Sequence, residues 1–335
     1  MNDTMEQTAR VRTSRILVFL GIMRTWIVGA LLCLTPPTSI LVLGWLSGDM
    51  GRAARRNAGL TAGSGDRRRW LFGPPGTGLV SRAFGGLASN IRAGFHMAIG
   101  MFVMTLPFTG FWLSAWWAGW ENSFNKGYEQ AFVGPFLGLT GVGIFAIVMI
   151  YLPMAAAHQA VENRAFAFFE LKRIRSAVAH SGWRYVMLAV VTVFFSLPIF
   201  ASRGLPTFAE SIYPGLAFLT ASEVNDLRMT IDLFVAAYIF VSLVILRRWS
   251  ARIYAKAVLR AGTGRDMNLW TNSALSAAFG STGTRRPWRV FRFVQFAVLT
   301  SIWSGLAVLI FVGQFLNHSW HVWLTHPYFL LPWVM

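Results

Sequence analysis

The chain has 335 residues, 55% of them hydrophobic and 13% charged, with a mean hydropathy of +0.51. A soluble protein of this size carries about a quarter charged residues, so this composition excludes an ordinary soluble domain. The formal net charge of +17 invites a nucleic-acid partner. Its Lys and Arg residues cluster in alternate loops, as cytoplasmic loops do, so no nucleic-acid partner is expected. Several apolar runs reach spanning length, which makes the class a polytopic all-α membrane bundle, one membrane domain over 1–335. The lone Cys33 lies in an apolar run, so no intrachain disulfide forms. The N-terminal stretch carries Asp3 and Glu6, and Arg24 interrupts its apolar run, so it reads as retained rather than cleaved.

Residues 16–46 are apolar apart from Arg24, and Pro36-Pro37 split them. Two adjacent prolines remove two backbone donors and bias the preceding residue away from helix. The run is either a spanning helix over 26–47, kinked at the prolines, or a re-entrant hairpin that turns there. A basic loop follows at 48–93, with a Gly/Ser-rich middle. Further spans are expected at about 94–117, 132–157, 183–201, 230–246 and 293–316, giving about six in all. Basic loops lie at 158–182 and 247–292. Amphipathic interfacial helices are expected at 77–93, 160–181 and 248–262. In the second of these, Ala167, Leu171, Ile174 and Val178 share a face that is expected to lie in the membrane surface.

Charge sets the orientation. The loops at 48–93, 158–184 and 247–292 hold eight, five and ten basic residues, against one and two in 118–131 and 202–229. The rich loops therefore face the cytoplasm, and the C-terminal tail faces outward. A re-entrant first segment places 27 basic residues inside and three outside, while six full spans give 23 and seven. Charge favours the hairpin, and the length of 26–47 favours the span.

The stretch LFGPPGTGLVSRAF (71–84) has the outline of a phosphate-binding loop. That chemistry needs a Lys and then a Ser or Thr straight after the last Gly, where this chain has Leu79 and Val80. It reads as a turn before a helix. No Ser/His/Asp set, His-Glu-x-x-His helix or paired intramembrane carboxylates occur, so no enzyme activity is expected. Gly134, Gly138 and Gly141 recur at helical spacing, and Ser301 and Gly305 do the same further on; small residues let a neighbouring helix approach closely. His96 and His158 both fall near the cytoplasmic face, where they would bracket a haem iron if their helices pack together. Otherwise they are hydrogen-bonded interface residues. Glu162 and Glu170, amid five basic residues, read as surface ion pairs. His318, His321 and His326 cluster near the C-terminus among Trp320, Trp323, Tyr328 and Trp333, without an Asp, Glu or Cys to complete a metal site. Over about ten residues this tail is similar to the His-Trp-Pro ends of photosynthetic antenna polypeptides, which implies His318 and His321 as bacteriochlorophyll or haem ligands. Its aromatic residues, with Trp112, Trp116, Trp117 and Trp120, also read as a belt at the outer interface.

Carried by the segments GLVSRAFGGLASNIRAGF, YLPMAAAHQAVENRAFAFFELKRI and WRYVMLAV, with LVLGWLSGDMGRAARR before them, residues 75 to about 198 resemble an uncharacterised family of prokaryotic multi-pass membrane proteins, and the resemblance covers about half the chain. The resemblance implies a membrane protein without known chemistry and carries over no site residues; the expected location is the bacterial cytoplasmic (inner) membrane. The expected function is a non-catalytic membrane subunit or scaffold packing against other membrane proteins, with anionic lipid at its basic cytoplasmic face. The alternatives are a haem- or bacteriochlorophyll-associated subunit of a respiratory or photosynthetic complex, and a passive small-solute transporter.

Overall fold

The computed structural model describes residues 21, 23–60, 70, 78–118, 132–212, 218–264, 266–280 and 289–315, and every regular element among them is helical. Helix α1 (Met23–Leu32) stops just short of the two prolines, and α2 (Pro36–Asn57) starts on them. Proline suits a helix start because its missing N–H would go unbonded there anyway. Thr38 Oγ1 donates back across the break to the Leu32 carbonyl at 2.8 Å. Trp26 of α1 and Trp45 of α2 pack on the same ring, Phe240, with centroids 5.9 and 5.8 Å away. The two indoles are thus at most about 12 Å apart. A continuous helix would separate them by about 28 Å. Residues 26–45 therefore do not run as one straight helix; the chain bends back at the prolines, as the hairpin alternative expects. Cys33, Val42, Leu46 and Val244 complete a small core around it.

The remaining long helices are α3 (Leu79–Trp117), α4 (Val133–Glu162), α6 (Trp183–Ile212), α7 (Ala221–Gly262) and α9 (Arg289–Phe315), with the short α5 (Leu171–Ser181) and α8 (Met267–Trp270). Four of them hold stretches long and apolar enough to cross a bilayer, and α5 with α6, bent by 97°, makes up to a fifth. The chain is a multi-pass helical membrane bundle with four to five such spans. The bend sits at Gly182, whose φ of +69° and ψ of −168° suit only glycine.

Along α4 the pattern is inside-out. Phe136, Leu139 and Ile147 are exposed, while Gly134, Gly138 and Gly141 are buried. Lipid accepts exposed apolar side chains as readily as a protein core does, so close backbone approach decides the interior instead. A Cβ at Gly138 would strike the Phe311 ring of α9, and one at Gly141 the Trp112 ring of α3. Trp112 is fully buried, stacks on Phe145 at 5.4 Å and donates Nε1–H to the Gly138 carbonyl at 3.3 Å. It belongs to the core and not to an outer aromatic belt. Ser301 and Gly305 do not pack as their spacing suggests. Both are exposed; Ser301 Oγ donates to Ala297 of its own helix at 3.1 Å, and a Cβ at Gly305 would meet nothing within 4 Å. The tightest crossing is between α2 and α3, where Gly44 lies against the Asn90 carbonyl and Gly94 against the Ile40 carbonyl.

Helix α7 has 42 residues. At 1.5 Å per residue it is about 63 Å long, twice the hydrocarbon thickness of a bilayer. Its apolar stretch ends near Leu246, and Arg247–Gly262 continue the same helix. The basic loop expected at 247–292 therefore begins as helix. Likewise, the interfacial helix expected at 77–93 is the first half of α3. These extensions meet the ends of α2 and α4, the 3-10 turn Ala165–Phe169, α5 and α8 in a helical layer continuous with the span core. Ala167, Ile174 and Val178 are buried there, and α5 packs on α4 and α7 rather than lying free on a membrane surface; Leu171 is exposed. Asp49 ties α2 to α7: it accepts from Arg52 at 3.1 Å and from both Nε and Nη2 of Arg248. Such a two-pronged pair fixes orientation as well as distance.

Candidate functional site

The densest polar cluster of the described residues sits in that layer, at the end of α4. Asn163 adopts a left-handed φ of 53° and ends the helix, which turns the chain back so that Glu170 faces the last turn of α4. His158 has no exposed surface. Its Nε2 lies 2.9 Å from Glu170 Oε2, and its Nδ1 lies 2.6 Å from the Tyr254 hydroxyl on α7. An ionised carboxylate only accepts, so Nε2 carries the proton and Nδ1 accepts from Tyr254. Glu170 also accepts from Arg164 at 2.7 Å and from Arg173 at 2.8 Å. The Trp270 ring of α8 closes the cluster, edge-on to His158 at 5.7 Å, with the Arg173 guanidinium 5.9 Å from its centroid.

A second ring of bonds holds α8 in place. Trp270 Nε1 donates to Ser176 Oγ at 3.3 Å, and Ser176 donates to Asp266 Oδ2 at 2.7 Å. Glu162 accepts from Ser273 Oγ at 2.7 Å and from the Ala274 amide at 3.2 Å. The arrangement is a chain of donors and acceptors from a tyrosine through a histidine to a carboxylate. Both ring nitrogens of His158 are occupied and the ring is sealed, so it has no lone pair to offer an iron or a substrate. The network clamps; it does not present a reactive group. The His96–His158 bracket around haem is thereby set aside. His96 is half-buried on α3, and His318 and His321 lie outside the described residues. Among the described residues, no three His, Cys, Asp or Glu side chains converge to hold a metal ion.

No family model, curated protein or solved structure matches the chain.

Sequence reasoning placed Glu170 in ion pairs with neighbouring bases but missed Tyr254 and Trp270. They lie 96 and 112 positions beyond His158, and only tertiary packing brings them there. One local signal was available. His158 and Glu162 are four residues apart on one face of α4, so both point at the same neighbour.

Burial works to raise the Glu170 carboxyl, but the hydrogen bond from His158, its electrostatic pull, and the charges of Arg173 and Arg164 outweigh this and hold it below the usual carboxylate value. The sign follows from linkage. The contribution to folding is complete above the unfolded value, about 4.3. It is lost as pH falls from there through the lower folded value. Hydrogen-exchange protection factors of 163–181, taken relative to the intrinsic rate at each pH, are expected to hold from pH 7 to about 5 and to fall below about pH 4. Glu170→Gln flattens this dependence; a variant as acid-sensitive as the parent would show that another group controls it.

Proposed function

We propose that this chain is a non-catalytic scaffold subunit of a bacterial cytoplasmic membrane, packing against other membrane proteins and offering them, and anionic lipid, a basic cytoplasmic face. The observation that carries the reading is how its titratable groups are used. His158, Glu162, Glu170, Asp266 and Asp49 are all bonded within the chain, and together they fasten a helical layer to the ends of the spans. On the outward side of that layer Arg252, Lys256 and Arg260 are exposed at every fourth position of α7, a positive stripe on a fixed support. The hairpin supports the orientation. By charge count such a hairpin puts 27 basic residues on the cytoplasmic side and three on the other, which supports a periplasmic C-terminal tail.

The test is purification from native membranes in mild detergent, with mass spectrometry and an absorbance spectrum of the eluted species. The expected result is a colourless complex well above the 37.4 kDa of the chain, with partner subunits in fixed ratio. An absorbance band lost on changing His318 or His321 would replace the proposal with a pigment- or haem-associated subunit. A solitary chain that carries solute in proteoliposomes would replace it with a passive transporter.

A further inference from the structure

Where α5 meets the start of α9, the structure holds a cavity of about 510 Å³ lined by Arg175, Arg292, Gln295, Phe293, Phe296 and Leu299, among others. Its two ends differ in chemistry. Arg292 stands at one end, and Arg175 also lines the cavity. Arg175 is exposed on α5 and has no hydrogen-bond or ion-pair partner among the described residues. Arg292 stands at the beginning of α9, where that helix enters its apolar span. At the other end the wall is apolar and descends α9. Phe293 and Phe296 are 74% and 41% exposed and face outward, and Leu299 lies about 10 Å further along the axis than Arg292.

Between the two ends sits Gln295, only 3% exposed. Its Nε2 donates to Ser181 Oγ at 3.2 Å and to the Gly182 carbonyl at 3.4 Å, at the bend between α5 and α6. Those two bonds fix the amide, and they leave Oε1 buried without a partner among the described residues. An unsatisfied buried carbonyl is unfavourable unless something donates to it. Gln295 lines a cavity that also holds arginine and apolar side chains.

We propose that this cavity is a binding site for one anionic glycerophospholipid whose headgroup carries a hydroxyl, of the phosphatidylglycerol type. The phosphate takes Arg175 and Arg292, a headgroup hydroxyl donates to Gln295 Oε1, and an acyl chain lies along Phe293, Phe296 and Leu299 into the bilayer. Charge selects the phosphate and the level of the cavity selects a lipid, since a soluble anion makes no use of the apolar wall. The site is distinct from the diffuse attraction of the basic surface for anionic lipid and does not depend on which proteins the chain packs against.

The test is native mass spectrometry of the full chain in mild detergent, titrated with phosphatidylglycerol, phosphatidic acid or phosphatidylcholine of matched acyl chains. One high-affinity phosphatidylglycerol is expected, held at least about tenfold more tightly than phosphatidylcholine, which is about 1.4 kcal/mol. Arg175→Gln, at an exposed position that leaves folding intact, and Arg292→Gln should each lower that preference several-fold. Gln295→Leu should weaken phosphatidylglycerol while leaving phosphatidic acid, which has no headgroup hydroxyl, unchanged. Arg252→Gln with Lys256→Gln, a loss of two positive charges elsewhere on the layer against one at the site, should change nothing. Equal weakening by that control pair would mean diffuse surface charge and overturn the site. Displacement of the lipid by millimolar inorganic phosphate alone would make the ligand a soluble anion and overturn the lipid assignment. No preference over phosphatidylcholine would overturn both.

Discussion

Gly44→Ala is expected to destabilise the chain by about 3 kcal/mol, at the upper end of the range for overpacking. The residue is in mid-helix, where alanine is intrinsically better than glycine by about 1 kcal/mol. Propensity alone therefore forecasts a gain. Packing reverses the sign. A methyl at Gly44 would overlap the Asn90 carbonyl of α3, which is backbone and has no rotamer into which to retreat. The helices must part, and every contact along the α2–α3 crossing loosens with them. Gly94→Ala meets the Ile40 carbonyl of α2 in the same way and should cost a similar amount. Once either methyl has separated the helices the second finds room, so the double variant should lose clearly less than the sum of the two. Gly305→Ala, with nothing near its Cβ, should be neutral or slightly stabilising. Thermal unfolding in one detergent compares all four. A Gly44→Ala protein that melts with the parent would refute the close crossing.

The second large effect is expected at His158. His158→Ala removes a sealed ring, leaves the Tyr254 hydroxyl without its acceptor and takes a donor from Glu170. The void and the orphaned hydroxyl together should cost about 3–4 kcal/mol. Tyr254→Phe, which removes one hydrogen bond and little volume, should cost about 1–2 kcal/mol. The loss falls on the layer beyond the spans. Limited proteolysis should open sites in 163–181 and 263–280 while the core of α3 and α4 stays resistant. Cleavage no faster than in the parent would mean that α5 and α8 are held by other contacts.

The physics that made parts of this structure legible in the sequence is the physics that hid others. Uninterrupted apolar stretches declare membrane-spanning helices, because no other open structure satisfies its backbone in lipid. The paired prolines declared a break at 36–37, and charge leaned towards a hairpin; the ring of Phe240, shared by Trp26 and Trp45, shows that the chain bends back there. The run of Arg and Lys after Leu246 looked like a departure from the helix, yet RRWSARIYAKAVLRAG keeps helical period, with its buried side at Ala251, Tyr254, Ala255 and Val258. A one-sided pattern says that a face is covered but not by what, so lipid was expected where α4, α5 and α7 cover one another. Glycine spacing had the same ambiguity. Gly138 and Gly141 receive aromatic rings, Gly305 meets nothing within 4 Å among the described residues, Ser301 is exposed, and Gly44 and Gly94, with no repeat to mark them, make the closest approach. The His158 cluster was legible only in its local pairs, since Tyr254 arrives from another helix.

The hairpin also has a history set by the direction of synthesis. Its indoles rest on Phe240, and Asp49 beyond it is held by Arg248, 199 positions downstream. At ribosomal speeds of about 5–20 residues per second, those partners emerge roughly ten to forty seconds after the hairpin does. Through that interval Trp26 and Trp45 are without Phe240 and Asp49 is without Arg248, so the part of the bundle made early is among the last to acquire its final neighbours.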